Sequence, residues 1–226
     1  MLAAAERLFA ERGFDGVSVR DLAAEADVNV AAVNYHFQGK ENLYREVLLR
    51  RLHFKRDASI AALMSAERDA RGRPDLDSLV GDFVRQYLEE TLASAHGANF
   101  MRLIAWEMHD PRRGGTTFLR ELVLPVHETF TGLLQAAAPG LGAKSASWAV
   151  MSLVGQIVHV IMRWYKCNEA QPGTPASELL AQTLPALHGP RDEYIQAAME
   201  HLTRFSAGGV RALAASDRAA QEGASA

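Results

Sequence analysis

Two helix starts only eleven residues apart constrain this chain more than any other feature. In "SVRDLAAEADVNVAAVNYHF" (18–37), Ser18 and Asp21 have capping-box spacing, so each can satisfy amides left over at the start of a short helix. Val19, Leu22, Ala23 and Ala26 recur on one face of that helix. "DVN" at 27–29 then makes a three-residue turn, and Asn29 is a strong cap for a second short helix over about Val30 to Phe37. Two short helices joined by so tight a turn, with a third packed behind, form a helix-turn-helix. The helix behind is legible as Leu2, Ala5, Leu8 and Phe9. Gly13 stops it, and Phe14 is placed to fold back as in a Schellman end.

The helix at 30–37 is too short and too mixed to be a core helix. With Val33 and Phe37 inward, Val30, Ala31, Asn34 and Tyr35 face outward together. A small, smooth face with one amide and one phenol suits a DNA groove. Asn and Tyr can hydrogen-bond base edges or phosphates, and Val30 and Ala31 let the backbone approach a thymine methyl. Each of these residues alone is as readily a solvated side chain; their common register with the caps and the turn carries the reading.

The run "SVRDLAAEADVNVAAVNYHFQGKENLY", with Phe9 and the "GF" at 13–14, resembles the DNA-binding domain of the TetR/AcrR family of bacterial repressors. Carried over by position, the resemblance implies that Arg20 reaches a base, that Val30, Ala31, Asn34 and Tyr35 lie along base edges, and that Ser18, Asn29, Ala32, His36 and Lys40 sit near phosphates. The family often has Tyr where Asn34 stands, and Ser or Thr where Ala32 stands. Ala32 has no hydroxyl to donate. Asn34 is chemically suited to adenine. Electrostatics help little, because residues 18–40 carry a net charge of −1. Helix N-termini and backbone amides must then supply much of the phosphate contact, and salt should weaken binding steeply.

Helix signals continue to the end of the pattern, at about 41 onward, 76–95, 98–109, 116–137, 143–167 and 191–206. The predicted fold is all-α, about nine helices. Residues 1–46 form the helix-turn-helix domain, 47–206 a larger helical effector-binding and dimerisation domain, and the Ala, Gly and Ser-rich 207–226 a flexible tail. The family resembled dimerises through its last two long helices and encloses a small-molecule pocket. Independent of it, "WAVMSLVGQIVHVIMRW" (148–164) is apolar on nearly every side and needs a second cover, most simply a partner subunit. Ile195, Ala198, Leu202 and Phe205 form a stripe on the last helix that can complete the interface. A two-fold dimer implies a palindromic double-stranded DNA operator.

Large apolar residues Phe83, Tyr87, Phe100, Leu103, Trp106 and Met151, with polar Arg102, His109, Gln156, His159 and Arg163 among them, are the candidate effector site. They point to an apolar or amphipathic effector; each of the large ones is equally at home in a plain core. "FMRLIAWEM" and "GQIVH" resemble one subgroup of the family, which implies a role in stress or drug-efflux control.

Other classes fit less well. A single cysteine, Cys167, gives no internal disulfide framework and, with no visible signal peptide, suits the cytoplasm. The 148–164 segment carries Gln156, His159 and Arg163, so a buried soluble helix is preferred to a membrane span. Glu107, His109 and Asp110 match no metal-ligand or nucleophile spacing. Neither a catalytic set, a metal site nor a cofactor is expected. The alternatives kept open are a metal-sensing regulator of the same fold, a helical metal-dependent enzyme, and a helical interaction module that binds no DNA.

Overall fold

The computed structural model describes residues 1–109, 116–169, 178–179, 182 and 190–224, and all nine named α-helices lie among them. They are α1 (Leu2–Arg12), α2 (Val19–Glu25), α3 (Val30–Phe37), α4 (Lys40–Met64), α5 (Leu76–Ala93), α6 (Ala95–His109), α7 (Leu124–Ala137), α8 (Ala143–Glu169) and α9 (Arg191–Ala224). The all-α architecture is as expected. The loops "PRRGG", "QPGTP" and most of "HGP" lie outside the described residues.

The chain divides into two compact units, one combining Met1–Asp57 with Ala93–Pro125, the other combining Ala58–Leu92 with Val126–Ala226. The expected break after residue 46 is therefore not a break in packing. α4 carries apolar residues well beyond it, and Val47, Leu48 and Leu52 are buried with the front helices. The first unit is centred on an aromatic cluster. Phe9 and Tyr44 meet edge-on at 4.9 Å, and Phe14 and Tyr44 at 5.2 Å. Such pairs add a little to what their burial contributes.

The helix expected over 116–137 contains a π-helical turn at Leu119–Val123, where the Leu124 amide reaches back to the Leu119 carbonyl. Pro125 follows it and has no N–H to donate, so the regular ladder cannot run through this point and is wound wider.

The second unit is built on Phe83 and Phe130, with ring centroids 4.6 Å apart, and on Leu79, Leu88, Leu134 and Ile157, all buried. Two tyrosine hydroxyls tie it together. Tyr165 donates to the Thr91 carbonyl at 2.7 Å and Tyr194 to the Val160 carbonyl at 2.8 Å.

The flexible tail expected from residue 207 is corrected: α9 continues to Ala224 with Ala207, Val210 and Ala214 buried. Alanine is the strongest helix former, so the composition that suggested mobility propagates the helix once one face is packed. Polar anchors hold it there. Arg211 pairs with Asp77, Arg218 donates to the Pro139 carbonyl, and Asp217 accepts the Gly142 amide.

Candidate nucleic-acid interface

The short helices are held by the caps that their sequence promises. The Ser18 hydroxyl accepts the Asp21 amide at 3.1 Å, and Asp21 Oδ2 accepts the Ser18 amide at 2.8 Å and its hydroxyl at 2.6 Å. These bonds hold the Asp21 carboxyl below its ordinary 3.8, with the Arg12 charge adding to the effect. The turn closes with the Val28 amide on the Ala23 carbonyl at 3.0 Å, and Asp27 takes a positive φ of 51°. Asn29 Oδ1 then accepts the Ala32 amide at 2.7 Å and starts α3. At the far end, Gln38 adopts the left-handed conformation, and its amide reaches the Asn34 carbonyl at 2.9 Å.

Val33 is fully buried and Phe37 half-buried, so α3 is pinned along one side. On the other side Tyr35 is 83% exposed and Val30 39% exposed, and Ala31, Asn34 and His36 are exposed with them. The Tyr35 and His36 rings meet edge-on at 5.1 Å. Arg20 is exposed on α2, and Ala32 is half-buried. Arg7 pairs with Glu25 at 2.7 Å, which joins α1 to α2 and partly offsets one of the acids in this acidic stretch.

Three of the expected phosphate neighbours have work inside the head. Ser18 and Asn29 are caps. Lys40 Nζ donates to the carbonyls of Phe14 at 3.0 Å and Val17 at 2.9 Å, and lies 4.0 Å over the Phe14 ring. It clamps the α1–α2 turn to the residue that begins α4. The sequence offered Lys40 as a phosphate neighbour or a surface charge; its tie to Phe14 and Val17, 26 and 23 residues away, has no local signal.

A second tertiary feature escaped the sequence. Gly13 has φ 69° and ψ 177°, so it is not a Schellman glycine, although Phe14 does fold back on Phe9. A Cβ on it would lie 3.1 Å from the Trp106 ring, whose Nε1 donates to the Ala10 carbonyl at 3.2 Å. Trp106 was expected at an effector and instead seals the end of α1.

The other effector candidates are spread between the units. Phe100 and Leu103 are buried in the first unit, where Arg102 is exposed; the side chain of His109, the last residue of α6, lies outside those described, as does that of Cys167. In the second unit Phe83 and Tyr87 meet at 5.0 Å, and burial pushes the Tyr87 hydroxyl up to about 12. Met151 is 60% exposed, His159 is exposed, and Gln156 donates to the Ser152 carbonyl on its own helix at 3.3 Å. Arg163 is half-buried, with Nε and Nη2 inaccessible and without a hydrogen-bond acceptor among the described residues. Phe83 and Tyr87 are thus in direct ring contact.

A capped helix pair that presents one exposed face is the arrangement of a helix-turn-helix DNA-binding protein. Residues 1–47 match the family model "Bacterial regulatory proteins, tetR family", and residues 82–189 match "Tetracyclin repressor-like, C-terminal domain". The chain belongs to the TetR family of transcriptional regulators. Over 48 residues it is 44% identical to the "Probable HTH-type transcriptional regulator YttP" of Bacillus subtilis (strain 168), covering 21% of this chain and 23% of that protein, so the match spans under a quarter of the relative's length. Its fold is similar to that of the TetR family transcriptional regulator PfmR from Thermus thermophilus (TM-score 0.57, 19% identity, 90% of this chain and 96% of that one). It is likewise similar to a transcriptional regulator from Aquifex aeolicus VF5 (TM-score 0.57, 15% identity, 90% and 96%).

Proposed function

We propose that this regulator is a cytoplasmic homodimeric repressor that binds a palindromic operator through α3 and is released by a small-molecule effector. Residues 1–46 are the reading head and the helices after them the effector-binding and dimerisation body. The observation that carries the reading is the two-sidedness of α3, with Val33 fully buried and Tyr35 83% exposed. Val30, Ala31, Asn34 and Tyr35 meet base edges, with Asn34 suited to adenine, and Arg20 reaches a base from α2. Ser18, Asn29, Ala32, His36 and Lys40 lie at the phosphates, the first two presenting capped helix starts rather than free side chains.

Dimerisation is supported by α8. Trp148, Met151, Val158 and Met162 are 63%, 60%, 39% and 42% exposed, and with Gly155 they fall at spacings of three and four residues along one stripe. Most of this helix's apolar stretch is left uncovered by the rest of the chain. On α9, Ile195 and Leu202 turn into the unit's own core, and Phe205, 62% exposed, faces out. A second copy covers the α8 stripe and Phe205 and sets two α3 helices about one DNA turn, roughly 34 Å, apart. Arg163 supports an amphipathic effector, since two of its buried nitrogens have no acceptor among the described residues, a role a ligand oxygen would fill.

A mobility-shift assay on the promoter beside the gene, run at two salt concentrations, tests the reading. Binding that is dimeric and falls steeply with salt supports it. No shift at low salt overturns it. Metal analysis of the purified protein tests the metal-sensing alternative.

A further inference from the structure

Between Trp148 and Met162 the sequence of α8 has a single ionisable residue, His159. It stands four residues after Gly155 and three before Met162, so helical register sets it on the outward stripe with Trp148, Met151 and Val158, and it is exposed as they are. On α9 the exposed His201 ring stacks on the ring of Phe205, with centroids 5.9 Å apart and 19° between the planes. Both helices belong to the second unit. Each apolar stripe thus carries one imidazole. We infer, on the reading that α8 and α9 form the dimer interface, that His159 and His201 make the dimer proton-sensitive. Two copies associate while these imidazoles are neutral and separate once they are protonated.

The surrounding charges do not favour an imidazolium. α8 has no Asp or Glu from Ala143 to Asn168, and its other charged residues there, Lys144, Arg163 and Lys166, are cations. α9 packs along α8 and carries Arg191, Asp192, Glu193, Glu200 and Arg204 before Phe205. Arg191 and Asp192 pair with each other at 3.1 Å. Glu200 and Arg204 line a groove with Asp82 and Arg85 of α5 that neither His201 nor Phe205 lines. Glu193 is exposed, about 12 Å along the helix from His201 and about 100° round it from Tyr194, the residue that docks on α8. Among the described residues the histidines in ion pairs are His53 and His96, so no carboxylate holds His159 or His201. Apolar surface can cover a neutral imidazole, but covering a charged one without a counter-ion is costly. Two-fold symmetry brings four such rings into one interface. The dimer therefore binds fewer protons than two free chains. Its stability is full above the ordinary imidazole pKa of about 6.5 and is lost as the pH falls below it.

Sedimentation equilibrium of the full chain without DNA, at about pH 7.5 and about pH 5.5 with circular dichroism on the same samples, is the test. The parent should dimerise about a hundredfold or more weakly at the lower pH, each of four rings contributing up to about tenfold one pH unit below its pKa. His159→Gln combined with His201→Gln, which cannot take up the protons, should dimerise equally at both. His159→Lys combined with His201→Lys, which fixes the charge, should be monomeric at about pH 7.5 with the helical content of the parent. A parent dimer of equal affinity at both pH values removes the switch and leaves the interface standing. A parent monomer at about pH 7.5 removes the interface, and the switch with it. Undiminished pH dependence in the double glutamine variant, or parental affinity in the double lysine variant, would also overturn the proposal.

Discussion

Asp217, near the end of α9, accepts the backbone amide of Gly142 at 2.8 Å and so holds the start of α8. Its carboxyl is kept below its ordinary 3.8 by the Gly142 amide and the Ser145 side chain. A depressed carboxylate contributes stability above its unfolded pKa, and that contribution is lost as pH falls through the folded value. Asp217→Asn should therefore lower the melting temperature at neutral pH, and the gap from the parent should close as the pH is taken below about 4, as read by calorimetry against pH. A gap independent of pH would refute the ionised cap.

Truncation after Ser206 should destabilise the protein, because it removes the buried Ala207, Val210 and Ala214 along with Asp217. Thermal melts distinguish this from a free tail, whose removal changes nothing.

Lys40→Met should cost about 1–2 kcal/mol in urea unfolding, since two carbonyls lose a charged donor. A lysine that only neutralises phosphate would leave stability unchanged and reduce the salt slope of DNA binding by about one.

Gly13→Ala should be destabilising by about 1–3 kcal/mol, through its positive φ and the Trp106 ring 3.1 Å from the new methyl. Combining it with Trp106→Ala should relieve the steric part only, which a double-mutant cycle measures.

Tyr35→Ala and Asn34→Ala should each weaken operator binding about 5- to 150-fold with no change in circular dichroism, because both side chains are exposed and neither supports α3. Met151→Glu with Phe205→Glu should shift the dimer to monomer in sedimentation velocity while leaving the helical content intact, both side chains being more than half exposed in the single chain.

Local chemistry was legible in the sequence. Caps act over three residues and apolar stripes over one or two turns, so Ser18 with Asp21, Asn29, and buried Val33 could be named from their neighbours alone, and with them the head and the all-α class. Contacts between distant residues could not. Lys40 on the Phe14 carbonyl, Trp106 over Gly13, and Asp217 on Gly142 join positions 26, 93 and 75 apart, and no local period encodes such pairs. Hydrophobicity states that a side chain will be covered without stating by what. For that reason only the tertiary structure decided that the alanine-rich end is helix, that Trp106 seals α1, and that the Phe83 and Tyr87 rings pack together in the second unit.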